Sequence, residues 1–343
     1  MQTRKSWSIL LSILLMMSLI LAACGGGTRQ GNGNPGNGTA TGEQPSTNGS
    51  QGAPAAAGGD KAQTRSFETK KGMVTIPAKP KRIVTDFYGG ELLSVGGNVI
   101  GVEPTTFKNP FVKDLLAKAN TKDIGEPLNQ EKVLELAPDL IVVMKDQNYD
   151  SLSKIAPTLY LPYGTATNIY ETVRLFGDIV GDKDRAEAFL AEFDKKAAAG
   201  REKLKGVVDE NATFGLYELT DKGELWLFGD NAGRGGQAIY NALKLKKPDA
   251  NKSDNQTIQL SMELLPKQAA DYMFLTTYDP ENKGEALKNL KESAVWKSLK
   301  AVKDNTVFFN DFDTYYRYDP IAITAQIDLF VEMILSRSKE AKK

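Results

Sequence analysis

Histidine is absent from the 343 residues, and cysteine occurs once, at Cys24. Without histidine the chain has no access to the commonest metal ligand, the usual general base of a nucleophilic triad, or the axial ligand of most haem sites. A single cysteine leaves no partner for an internal disulfide. An excess of either charge is missing too: 43 basic and 43 acidic residues give a formal net charge of zero, so no overall field draws the protein to nucleic acid. There is no Gly-x-Ser-x-Gly elbow and no His-Glu-x-x-His pair. An exported, lipid-anchored hydrolase therefore survives only as a carboxylate-pair enzyme, because acidic residues are plentiful.

What is present begins with the leader. Arg4 and Lys5, the apolar stretch from Ile9 to Leu21 and the small residues before Cys24 form the three parts of a secretory signal. A span would need about 20 apolar residues, and here the run stops at Gly25-Gly26-Gly27, which favours cleavage. Leu21-Ala22-Ala23-Cys24 resembles the lipobox of bacterial lipoproteins. The resemblance implies a leader over 1–23, a diacylglycerol on the Cys24 sulfur, and two acyl chains of the kind stable anchoring requires. Residues 24–64 are rich in Gly, Asn, Ser, Thr, Pro and Ala with almost no large apolar group. Such a segment cannot offset its ordering entropy by burial and reads as a flexible tether.

The remaining chain is long enough for two domains at about 100–200 residues each. Short apolar runs alternate with amphipathic stretches, which predicts α/β units. Strands are expected at 82–85, 99–102, 140–143 and 158–161, and again at 213–217, 224–228, 272–275 and 306–309. Between the two groups, Ala186, Phe189, Leu190, Phe193, Ala197 and Leu204 recur on one helical face. The organisation predicted is a first lobe over 65–181, a long helix over 182–205 and a second lobe over 206–343, closed by a helix from about Pro320 to Ser336. The block from Leu128 to Val143 aligns without gaps to that from Leu260 to Leu275. In each, Asn129 or Ser261 caps a short helix that ends at an Asp and leads into a buried strand.

Pro80-Lys81-Arg82-Ile83-Val84, the Leu128-to-Val143 block, the single long helix and Val295-Trp296-Lys297-Ser298-Leu299 with Asn305-Thr306-Val307 resemble the iron-siderophore substrate-binding lipoproteins of ABC importers. The resemblance implies an α/β fold of two Rossmann-like lobes joined by one long α-helix, with the ligand in the cleft between them. It implies a monomer that captures a ferric siderophore at the outer face of the bacterial cell membrane and delivers it to a permease dimer with its ATPase subunits. No cofactor is implied, iron(III) entering only as the siderophore chelate. Cobalamin and haem receptors share this architecture; the missing histidine argues against haem alone.

In open α/β sheets ligands bind beyond the carboxyl ends of the strands. Those positions hold Tyr88, Lys108, Tyr163, the loop Gly233-Arg234-Gly235-Gly236 and the cluster Tyr315-Tyr316-Arg317-Tyr318. Glycines let backbone approach a ligand, and an arginine fork suits carboxylate, catecholate or hydroxamate oxygens. By resemblance Arg234 points into the cleft. Strand-like alternation over 315–318 would put Tyr315 and Arg317 on one side and Tyr316 and Tyr318 on the other. The ligand set expected is Arg234, Arg317, Tyr315, Tyr88, Lys108 and Trp226, with no metal ligands. A direct ferric site on Tyr315, Tyr316 and Tyr318 lacks supporting histidine. Glu131 and Glu263 occupy matching repeat positions, where the helix macrodipole favours acids; the resemblance implies that they dock onto permease arginines. The cations lean toward an anionic catecholate or citrate complex, while the aromatics and glycines suit hydroxamates equally.

Overall fold

The computed structural model describes residues 63–248 and 255–340. Cys24, the leader over 1–23 and nearly all of the tether over 24–64 lie outside the described residues. An antiparallel hairpin of β1 (Thr64–Thr69) and β2 (Gly72–Pro77) comes first. The first lobe is then built on β3 (Ile83–Thr85), β4 (Val99–Val102), β5 (Lys122–Asp123), β6 (Leu140–Val143) and β7 (Thr158–Tyr160). Their order is β5-β4-β3-β6-β7, with every pair parallel. A parallel sheet covered on both faces demands unbroken apolar strands, and all four residues of both β4 and β6 are buried.

The second lobe holds β8 (Phe214–Thr220), β9 (Leu225–Phe228), β10 (Thr257–Leu260), β11 (Tyr272–Tyr278) and β12 (Val307–Asp311) in the order β10-β9-β8-β11-β12. Here β8, β11 and β12 run parallel, while β9 is antiparallel to both β8 and β10. The two-lobed α/β class expected from the sequence is the one observed. The internal repeat has a physical basis. Asp139 at the foot of β6 accepts the Lys81 and Arg82 backbone N–H groups at 2.7 and 2.8 Å. Asp271 at the foot of β11 accepts the Thr213 N–H and hydroxyl, both at 2.9 Å. In each lobe a carboxylate ties the start of the central strand to its parallel neighbour.

One helix, Lys183–Leu204, joins the lobes; Asp182 caps it by accepting the Arg185 N–H at 3.0 Å. Its face of Ala186, Leu190, Phe193, Ala197 and Leu204 is buried, each large side chain contributing about 1.5–3 kcal/mol. At Gly200 an added Cβ would stand 2.7 Å from Leu243 and 3.2 Å from Ile327, so the C-terminal helix Pro320–Glu340 packs backbone-close against the connecting one. One apolar cluster consequently runs through both lobes, from Leu92, Val142 and Phe176 through Leu190 and Phe193 to Phe214, Phe274 and Phe330. Separate smaller clusters cover the remaining face of each sheet.

Candidate functional site

The exits of β3, β4 and β7 in the first lobe meet the glycine loop and the segment after β12 in the second. Asp86 ties two exits together by accepting the Met144 and Lys145 N–H groups at 2.8 and 3.1 Å. Burial still pushes its carboxyl above the ordinary range, against those bonds and Lys145. Phe87 packs edge-on to Tyr88 at 5.6 Å and lies 6.0 Å from the Tyr318 ring. Tyr163, 61% exposed, donates its hydroxyl to the Asn231 carbonyl at 3.1 Å and meets Tyr318 edge-on at 6.1 Å. Aromatic rings thus bridge the lobes.

Between them lies a cavity of ≈ 310 Å³, lined by Tyr88, Leu161 and Phe176 on one side and by Asn231, Gln237 and Tyr318 on the other. Burial drives the Tyr88 and Tyr318 hydroxyls far above the ordinary phenol range, so both remain neutral donors. The Tyr88 hydroxyl is already committed to the Leu161 carbonyl.

The glycine loop takes three consecutive left-handed residues: Gly233, Arg234 and Gly235 have φ of +81°, +57° and +90°. A Cβ at Gly235 would fall 2.3 Å from the Phe330 ring, so only glycine fits there. The loop enters a short π-helical turn over Gln237–Ala242. Arg234 is nearly enclosed. Its Nε and Nη2 both donate to Glu218 Oε2, at 2.6 and 2.5 Å, and its guanidinium lies over the rings of Phe228, Tyr316 and Phe312 at 4.4, 4.8 and 5.5 Å. Phe312 and Tyr316 stack at 4.7 Å, and Tyr278 extends the aromatic surface at 4.8 Å. Trp226, half-buried, is the cross-strand partner of Glu218 and lies two residues from Phe228, which places the three on one face of β8 and β9.

The alternation expected over 315–318 does not occur, because Phe312–Tyr315 is a helical turn capped by Asp311 accepting the Thr314 N–H at 2.9 Å. Tyr315 is turned into the lobe, buried at 5.2 Å from the Phe330 ring. Tyr316 and Tyr318, the pair expected to face away, are the ones among the cleft aromatics. Arg317 serves the seam: it donates to the Thr105 carbonyl of the first lobe and lies 5.3 Å from the Tyr316 ring. Lys108 ends the turn Pro104–Lys108 that carries Thr105, and it is exposed.

Sequence reasoning passes over three buried acids. Glu218 sits within β8, whose apolar neighbours make a lone glutamate the available signal. Glu91 and Asp319 meet at the seam, where a Cβ on Gly90 would lie 2.4 Å from Asp319 Cγ and Asn109 donates to Asp319 at 2.8 Å. Burial first and the Asp319 carboxylate second push the Glu91 carboxyl up to about 8; burial raises Asp319 as well. Glu131 and Glu263 are both exposed. Glu131 lies in the first turn of Gln130–Glu135, whereas Glu263 precedes its helix, Leu265–Gln268. Among the described residues no cluster of three acidic, cysteine or histidine side chains can hold a metal ion.

Two α/β lobes on one helix, with an aromatic cleft at their seam, define a solute-binding protein of the single-helix class. Residues 89–314 match the periplasmic binding protein family, and the chain belongs to that family of transporter substrate-binding proteins. It is 53% identical over 298 residues to the iron(3+)-hydroxamate-binding protein YxeB of Bacillus subtilis, covering 86% of this chain and 92% of that one. Identity to the iron(3+)-hydroxamate-binding protein FhuD of the same species is 36% over 283 residues, covering 80% and 87%. Among solved structures, Staphylococcus aureus FhuD2 with bound ferrioxamine B has a TM-score of 0.66 at 26% identity, covering 76% of this chain and 100% of that one.

Proposed function

We propose that this chain is the extracytoplasmic receptor of an ABC importer and captures a ferric siderophore of the hydroxamate type in the cleft between its lobes. The observation that carries this reading is the 53% identity to an iron(3+)-hydroxamate-binding protein over nearly its whole length. The cleft supplies suitable chemistry. Aromatic rings give rigid apolar area for the ligand's organic shell, and a preset guanidinium donates toward its oxygens. In this reading Arg234, Trp226, Tyr316 and Tyr318 contact the ligand, Tyr88 floors the cavity and Lys108 stands at its margin. Arg317 and Tyr315 hold the scaffold. Iron stays chelated by the siderophore.

The rest of the arrangement follows the same reading. A leader over 1–23 is removed, Cys24 carries the lipid, residues 24–64 form the tether, and lobes over 65–181 and 206–343 flank the helix. The monomer presents Glu131 and Glu263, one on each lobe, to arginines of a permease dimer served by ATPase subunits. Tryptophan quenching by a panel of ferric hydroxamate, catecholate and citrate complexes tests the capture step, with Trp226 as reporter. Quenching by the hydroxamate is expected; tight cobalamin binding with no response to any ferric complex rejects the reading.

A further inference from the structure

Arg234 is held more firmly than a surface turn requires. Its φ of +57° is unusual for a residue with a side chain and carries a backbone cost. The surrounding structure maintains that conformation and directs two of the guanidinium donors onto a single carboxylate oxygen, Glu218 Oε2. Glu218 itself is buried inside β8, where an unpaired charge is costly. A loop whose sole task was to offer a cation to a ligand would gain nothing from a buried acid behind it.

The same compensation recurs around the cleft. Arg317, at the seam, lies within the electrostatic reach of both Glu91 and Asp319. The two arginines that look from the sequence like an anion trap are thus answered by acids in three dimensions. A compensated site still donates hydrogen bonds, but it has little net field to attract a polyanion.

We propose that Glu218 is a specificity-determining residue: by neutralising Arg234 in its aromatic box, it tunes the cleft to uncharged ferric chelates and against anionic ones. Three monoanionic hydroxamates balance iron(III), whereas three dianionic catecholates leave a trianion. The proposal rests on the ferric-siderophore reading and adds the residue that sets ligand charge. Glu218 is a positioning residue in geometry and a charge filter in effect.

The test compares wild type with Glu218→Gln, using an uncharged ferric trihydroxamate such as ferrichrome and a trianionic ferric tris-catecholate, titrated by fluorescence. Wild type is expected to prefer the trihydroxamate by about a hundredfold or more. Glu218→Gln should narrow that preference by about tenfold or more, mainly through tighter tris-catecholate binding. Glu218→Asp should retain the wild-type preference. An unchanged ratio, or an equal loss for both ligands, overturns the role of Glu218 while leaving the receptor reading intact. Wild type that binds neither complex overturns both. Should Glu218→Gln not fold, the salt dependence of tris-catecholate binding to wild type decides. A flat response supports a compensated site, and a steep loss with added salt overturns it.

Discussion

The two lobes share a scaffold and differ in one strand direction. Both carry a five-stranded sheet whose central parallel strands are tied at the foot by an equivalent aspartate, Asp139 or Asp271. In the first lobe every strand pair is parallel, and the cleft side receives only strand exits, with Phe87, Tyr88 and Tyr163 upon them. The second lobe reverses β9 against β8. That reversal sets Trp226 and Phe228 beside Glu218 and lets the following glycine loop fold Arg234 back over them. The scaffold is therefore common, while both arginines of the cleft belong to the lobe that departs from the all-parallel pattern.

The largest effect expected separates what the lobes share from what they do not. Reversing charge at Glu131 and Glu263 together should leave ferric hydroxamate affinity at its wild-type value and abolish uptake in cells. Retained uptake would remove the matched docking role. Next in size, Arg234→Ala should weaken ligand binding by about a hundredfold and lower stability by about 3–5 kcal/mol, because Glu218 is left buried without its partner. Titration and thermal melting read the two effects apart, and Arg234→Ala combined with Glu218→Ala should recover stability without recovering affinity.

A smaller contrast probes backbone packing in each lobe. Gly235→Ala meets the Phe330 ring at 2.3 Å from a positive φ, and a loss of about 2–4 kcal/mol is expected. Gly101→Ala in β4 meets the Leu136 Cδ1 and Ile124 Cγ2 methyls at 2.7 and 2.8 Å without a left-handed backbone, so a smaller loss of about 1–2 kcal/mol is expected. Equal losses in chemical denaturation would erase the distinction.

The smallest effect is at the seam and depends on pH. Glu91 is raised from 4.5 to about 8, so across that interval the folded protein holds a proton that the unfolded chain has released. Stability is highest below the unfolded value and is lost as pH rises through the folded one. Glu91→Gln should flatten this slope to the share that the raised Asp319 contributes and gain about 1–3 kcal/mol near the upper end of the interval. A wild-type melting temperature flat across that range would contradict the placement of this proton.

The strands at 99–102 and 140–143 and the buried face of the connecting helix were legible because apolar runs and a 3.6-residue period report burial directly. The hairpin of β1 and β2 was not, since Phe67 and Ile76 are its only buried side chains and leave little periodic signal. The cluster 315–318 departs from the alternation its sequence suggests for a different reason. Tyr-Tyr-Arg-Tyr carries no helical or strand preference strong enough to resist the cap at Asp311, and that cap rotates Tyr315 inward.

The class of fold, the two lobes, the equivalence of Asp139 and Asp271 and the glycine loop around Arg234 can all be read along the chain. Each is written in local period, spacing or residue type. Which arginine sits in the aromatic box, which spans the seam, and which acid stands against each depend instead on contacts between distant parts of the chain. Charge compensation is a property of distance between residues remote in the chain. Glu218 and Arg234 are 16 positions apart yet share one carboxylate oxygen, a proximity created by the antiparallel turn of β9.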